Sequence, residues 1–449
     1  MDKLINAIQS VDPKDEKELK NLQGLLKKNE ELLFKNLPHL DEILSILDPN
    51  LNTLAWIHIL GIKAVVASSD PLTFVGQVSR LIKEGNTQQI RLSPFKFSRV
   101  CSRYAEIYRN EGRALACIRP LRMALQKLRP NSDTLTPLHA DFLQMCLLAK
   151  DYRAALPVLA EEVLAIADPE RYGFKPVDLL RYFYYGGMVY VGVKQFEQAL
   201  EFFKQGFSAP AVVLSAVMVE CYKKFVLVSL LLHGTLAPVP KYTPSVVQRY
   251  LKSACPQYQE LINAFATRST DEVHKVATQH AEAFQKDNNF GLVKQCIQAL
   301  YRSNINRHTQ TYLTLSLDQI AETVKLASPK DAEKAILGMI EEGKIFATVD
   351  QKGGMVSFHE SPEAYNTNDM LNFLDLQIHN SIDMARKLKT VDQEISSSIP
   401  YLQKTAMHER QGGGRWGELG PDFDMDARPP GLGRKGGRKG KGKVLGLAN

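Results

Sequence analysis

The stretch SPKDAEKAILGMIEEGKIFATVDQKGGMVSFH, residues 328–359, decides the fold of this chain. Ser328 stands where a helix takes its N-cap, and Pro329 fills the first helical position, where a missing N–H costs nothing. Ala332, Ala335, Ile336, Met339 and Ile340 then recur at steps of three and four, so one face of that helix is apolar. Gly343 falls in the C-cap place, where a left-handed backbone is needed. Beyond it, Ile345 to Asp350 and Met355 to His359 are β-prone runs around the turn Gln351-Lys352-Gly353-Gly354, which predicts a hairpin. A shorter helix over Asp318 to Leu326, entered through Leu313 to Leu317, precedes them. Helix, helix and hairpin in that order make a winged helix.

Upstream of this module, from Asp2 to about Gln310, apolar residues keep helical spacing, as in Leu32-Leu33-Leu37-Leu40-Ile43-Leu44-Leu47, and no alternating run is long enough for a sheet. Breaks recur at Asp48-Pro49, Asp70-Pro71, Arg129-Pro130-Asn131, Asp168-Pro169, Ala209-Pro210 and Leu236 to Pro240. Between Phe183 and Pro210, Gly187, Tyr190, Ala199 and Phe203 sit at the separations of a tetratricopeptide unit. Small residues there let paired helices approach, and the two rings fill the layer against the next repeat. Ala114, Ala155 and Ala199 open comparable helices 41 and 44 residues apart, wider than the strict repeat of roughly 34 residues, so an irregular array is expected. The run Tyr182-Phe183-Tyr184-Tyr185 reads as packing between repeats.

Downstream, Leu371, Leu374, Ile378, Ile382, Ala385, Leu388, Val391 and Ile395 step along a single long helix from near Asn368 to about Ile399. Such a stripe needs a partner helix, and Leu371, Leu374, Ile378, Ile382, Leu388 and Ile395 are taken as a subunit interface in a bundle. The expected fold class is therefore mainly α, a tetratricopeptide-like repeat array followed by a winged helix and a long C-terminal helix. The expected divisions are 1–195 for N-terminal repeats, 196–310 for a further helical part, 311–366 for the winged helix, 367–400 for the bundle helix and 401–449 for a tail. From Gln411 onward Gly, Arg, Lys and Pro dominate, and disorder is expected.

Charge separates the tail from the body. The chain holds 56 Lys and Arg against 49 Asp and Glu; setting aside Arg434, Lys435, Arg438, Lys439, Lys441 and Lys443 leaves 50 against 49. Those six residues suit nuclear import, loose contact with RNA, or simple solubility; they lack the interleaved aromatics of a base-stacking platform. The second helix of the winged module carries Lys330 and Lys334 against Asp331, Glu333, Glu341 and Glu342, a net of minus two, which a phosphate backbone would repel. Assembly is the better reading. Main-chain groups of Met355, Val356, Ser357 and Phe358 are taken as an exposed wing edge suited to pairing with a neighbouring wing.

Signatures of catalysis are missing. No His-x-His, His-Glu-x-x-His or zinc-finger spacing occurs, nor a P-loop or a nucleophile elbow. Gly431, Gly433 and Gly436 match the dinucleotide spacing, but no strand precedes them and no helix former follows. The six cysteines never occur as Cys-x-x-Cys and read as reduced core residues. There is no signal-peptide pattern, and the most apolar stretches, Leu51 to Ala67 and Phe225 to Pro240, are broken too early to span a bilayer. No cofactor, metal or membrane is expected.

Helical repeats ahead of a winged helix resemble the PCI domain of the proteasome lid, the constitutive-photomorphogenesis-nine (COP-nine) signalosome and a translation initiation factor complex. The strings Asp287 to Cys296, Asn304-Ile305 and Tyr312 to Leu317 resemble the third-subunit family of the signalosome, as do Leu138 to Asp141, Tyr182 to Tyr190, Pro240 to Thr243 and Gly354 to His359. The resemblance covers roughly residues 30 to 400 and leaves out the Gly-Lys-rich tail. It implies a non-catalytic scaffold in the complex that removes the ubiquitin-like modifier from cullins, with the isopeptidase in another, metal-binding subunit. It also implies neighbours among the other subunits, the first and eighth foremost, an indirect link to cullin-RING ligases, and residence in nucleus and cytoplasm. A lid or initiation-factor subunit, or a nucleic-acid-binding protein acting through its tail, remains the alternative.

Overall fold

The computed structural model describes residues 2–410, apart from residues 14, 67–69, 327 and 361–364. Two compact units divide the chain, Met1–Ser361 and Pro362–Asn449.

The first unit opens with α1 (Asp2–Gln9), α2 (Glu16–Lys28), α3 (Glu30–Lys35), a 3-10 turn (Leu37–His39) and α4 (Leu40–Ile46). These cover α5 (Thr53–Val65), whose indole at Trp56 is buried and donates to the Leu47 carbonyl at 3.1 Å. Two plies follow. Helices α5, α8 (Pro94–Asn110), α10 (Leu138–Leu148), α13 (Pro176–Val193), α15 (Ala216–His233) and α20 (Phe290–Thr309) pack successively as an inner ply. Helices α6 (Pro71–Glu84), α7 (Thr87–Leu92), α9 (Ala114–Leu128), α11 (Tyr152–Leu159) and α14 (Phe196–Ser208) back it. The short α12 (Pro169–Tyr172) leans on α8, and α16 (Ser245–Ala254), α17 (Pro256–Ala266), α18 (Thr270–Gln279) and α19 (Ala281–Lys286) bridge α15 to α20.

Breaks read from the sequence fall between helices. Asp70 and Asp168 each cap a helix whose first residue is proline, and Asp151 and Ser215 cap α11 and α15 through their side chains. Packing of α13 on α14 depends on glycine. A Cβ at Gly187 would lie 2.6 Å from the Phe203 ring, and one at Gly186 2.7 Å from Phe202. Ala199 and Phe203 are buried, and the Tyr190 hydroxyl donates to the Leu159 carbonyl at 3.3 Å. The tetratricopeptide-like pair is thus present as the spacing indicates. All six cysteines are buried and free.

One apolar core runs from Ile8 to Leu300, across residue 195, which lies in the turn between two packed helices. Three features differ from the sequence reading. A helix over Ile399–Arg410 takes residues expected to open the tail at 401. A parallel pair of two-residue strands, β1 (Thr134–Leu135) and β2 (Ala165–Ile166), is threaded into the helical array. Leu313 to Leu317 is not merely a helix lead-in, because Thr314–Ser316 forms strand β3.

Beyond β3 the winged module comprises α21 (Leu317–Val324), α22 (Pro329–Glu341), β4 (Phe346–Asp350) and β5 (Met355–His359). Ile305, Leu317, Ile320, Val324, Ala332, Ile336, Met339, Ile345, Val356 and Phe358 form its separate core. The second unit contains α23 (Asn368–Ser397) and α24 (Ile399–Arg410). No helix among the described residues is long and apolar enough to cross a membrane.

Candidate assembly surfaces

The three strands of the wing are ordered β3-β5-β4, all antiparallel. Met355, Val356 and Ser357 pair with Ser316, Leu315 and Thr314 on one side and with Asp350, Val349 and Thr348 on the other. This corrects the expected edge. Met355 to Phe358 lie in the central strand, with Val356 and Phe358 buried in the module core, so their main chain is not free to meet a neighbour. The outer strands of the sheet are β3 and β4, of which β4 offers the longer edge.

Which groups that edge offers follows from alternation along an antiparallel strand. The Phe358 N–H donates to the Leu313 carbonyl at 2.8 Å, toward β3, so Ser357 turns its polar groups toward Thr348 of β4. The neighbours of Thr348, Ala347 and Val349, therefore direct their main-chain groups outward, unpaired by any strand of the described residues. Their side chains pack on the module core, whereas Phe346, Thr348 and Asp350 are exposed. Apart from Asp350 the strand carries no charge, so little guards it against strand addition.

The wing is anchored to the array through α20, whose Ile305 belongs to the second core while Leu300 belongs to the first. The Arg302 guanidinium donates to both carboxylate oxygens of Glu342, at 2.9 and 3.1 Å, and Lys344 adds a 2.7 Å contact. These cations, Lys344 first, hold the Glu342 carboxyl below the usual glutamate range. Lys325 of the wing pairs with Asp271 of α18.

In the second unit, Leu371, Leu374, Ile378, Ile382, Leu388 and Ile395 share the stripe anticipated from the sequence, and every one is exposed. Phe373, Leu376 and Met384 broaden the apolar arc beyond that stripe. A helix apolar over so wide an arc suits a bundle interior better than one partner.

Comparison with known proteins places these surfaces in a family. A model described as COP9 signalosome complex subunit 3, N-terminal helical repeats, matches residues 16–247, and the PCI domain model matches 276–360. A Dictyostelium discoideum protein named COP9 signalosome complex subunit 3 is 39% identical over 92% of this chain and 97% of its own length. One of the same name from Drosophila melanogaster is 34% identical, over 83% and 87%. The chain belongs to the COP9 signalosome subunit 3 family.

In this family member, Arg434, Lys435, Arg438, Lys439, Lys441 and Lys443 lie outside the described residues. The sequence reading also missed a charge concentration inside the body. Residues 94–128, covering α8 and α9, hold eight basic residues against Glu106 and Glu111, masked in the whole-chain total by acids elsewhere. Some of these cations serve the fold: Lys127 on α9 donates to the Gly85 carbonyl at 2.8 Å, at the C-terminal end of α6, and Lys96 on α8 donates to Glu30 at 3.0 Å. Others do not. Among the described residues no cluster of three His, Cys, Asp and Glu side chains is placed to hold a metal ion.

Proposed function

We propose that this chain acts as a non-catalytic scaffold of the COP9 signalosome, holding other subunits in register while the isopeptidase that strips the ubiquitin-like modifier from cullins resides elsewhere in the complex. Cullin-RING ligases are its targets at one remove. The observation that carries the reading is the wing: its second helix is acidic where a DNA reader must be basic, and its β4 edge stands open for a neighbour's strand. The first and eighth subunits are the neighbours we assign, through the β4 edge and the α23 stripe. We further assign the protein to nucleus and cytoplasm, with the basic tail as import signal.

Native purification of the tagged chain tests this. Co-recovery of signalosome subunits with cullin-deconjugating activity is expected, and cross-linking at Ala347 and at Ile378 should capture the assigned neighbours. Recovery of proteasome ATPases or ribosomal subunits without that activity would instead place the chain in the lid or an initiation-factor complex. Duplex DNA or RNA binding that survives removal of residues 411–449 would contradict the charge argument.

A further inference from the structure

The inner ply leaves one face uncovered by the backing helices, and on three consecutive helices that face is polar. Ser102, Glu106 and Arg109 line α8, Asp141 and Gln144 line α10, and Arg181 and Tyr185 line α13, each set at the spacing that puts side chains on one helix side. Cross-links join the three. Ser102 donates to Asp141 at 2.6 Å, and Arg109 donates to Gln144 at 3.3 Å.

Two guanidiniums are left largely unused. Arg181 is exposed and makes no hydrogen bond or ion pair among the described residues, and Arg109 has only the bond to Gln144. Solitary exposed arginines are ordinary. Here two, from different helices, flank one half-buried carboxyl without closing on it, since Asp141 has no ion pair among the described residues and accepts only from Ser102. Burial, helped by the neighbouring Asp178 carboxylate, pushes the Asp141 carboxyl above the ordinary aspartate range, outweighing the Ser102 bond and both arginines. Tyr185 sits in the same field, its ring 5.6 Å from that of Tyr184.

We propose that this face, centred on Arg109, Asp141, Gln144, Arg181 and Tyr185, binds an extended acidic segment of a partner protein. The two guanidiniums without a carboxylate partner select that occupant, together with the charge of α8, which holds Lys96, Arg99, Arg103 and Arg109 against Glu106. Carboxylates of the segment take Arg109 and Arg181, and its main-chain N–H groups meet the acceptors of Asp141 and Gln144. A nucleic acid fits less well: a phosphate at every residue would bring unbroken negative charge against Asp141 and Glu106. Helical arrays commonly use such an extended face for recognition.

The test measures anisotropy of a fluorescein-labelled peptide of alternating glutamate and glycine with the full chain. Arg109→Glu with Arg181→Glu should weaken binding about tenfold or more, as loss of two charged contacts implies. The control, Arg119→Glu with Arg153→Glu on exposed residues of the backing helices, makes the same charge change and should leave binding near its original strength. No saturable binding, equal weakening by both double variants, or displacement of the peptide by a polyuridine of matching charge would each overturn the proposal.

Discussion

Truncating Leu374, Ile378 and Ile382 together to alanine tests whether α23 is a bundle helix. In the isolated chain these side chains are 48%, 56% and 45% exposed, so about half of each remains for a partner to cover. Full burial of a Leu or Ile is worth about 1.5–3 kcal/mol, which gives about 1 kcal/mol for each of the three and about 3 kcal/mol together. That corresponds to roughly a hundredfold weaker assembly. Alanine is the better helix former, so α23 itself should persist, and circular dichroism should not change. Titration of the variant into a complex lacking this subunit, followed by native mass spectrometry, reads the loss. A control on charged positions, Asp375, Asp383 and Arg386 to alanine, disturbs only exposed pairs and should cost under about 1 kcal/mol. Undiminished assembly of the apolar triple variant, or equal loss in the charged one, would refute the stripe as an interface.

Three further outcomes are expected. Gly187→Ala drives a Cβ into the Phe203 ring, 2.6 Å away, and should destabilise the array by about 1–3 kcal/mol, seen as a lower thermal midpoint; an unchanged midpoint would mean that α13 and α14 can separate freely. Ala347→Pro removes an outward N–H of β4 and should impair assembly while the wing stays folded, whereas Thr348→Pro breaks the internal ladder and should unfold it; indistinguishable hydrogen-exchange patterns would contradict the assigned edge. His58 and His139 are buried, and burial lowers their pKa values from 6.5 to about 3 and about 4. Because the unfolded chain takes up those protons first, stability should fall as pH drops below 6.5, by up to about 1.4 kcal/mol per pH unit for each histidine. A His58→Gln, His139→Gln variant should flatten urea-measured stability between pH 6.5 and 4, and an equally steep profile would remove these groups as the cause.

Local chemistry accounts for what the sequence revealed and what it hid. Gly187 and Phe203 announce the α13–α14 pair because close helix approach needs a missing Cβ opposite a ring, and both lie within one repeat. The expected last helix, Asn368 to about Ile399, matches α23 because its stripe is periodic and Thr367 caps it through the Met370 N–H. Strand order carries no such local mark. Met355 to Phe358 looked like an edge because the hairpin shows only the β4 partner; the other, Thr314 to Ser316, arrives from some forty residues upstream in a run too short to alternate visibly. Likewise β1 and β2 are two residues each, below any period. The polar face of α8, α10 and α13 stayed hidden because it assembles single residues from three helices, and net charge averages it away.

A scaffold works through geometry, so the joint between array and wing matters as much as either surface. Helix α20 contributes to both cores, and Arg302 clamps the end of α22 at Glu342. At its other end, the buried Lys224 of α15 donates to Asn289, whose amide reaches the Tyr258 hydroxyl at 2.6 Å; that hydroxyl in turn donates to Asp287 at 2.9 Å. Apolar packing alone tolerates sliding, but each donor and acceptor in a buried network has one satisfied arrangement, and losing it leaves groups desolvated and unpaired. The start of α20 is thereby held against α15 and α17 in one register, and its far end carries the wing. Residues 287–289, remote from the β4 edge, therefore set the direction in which that edge faces.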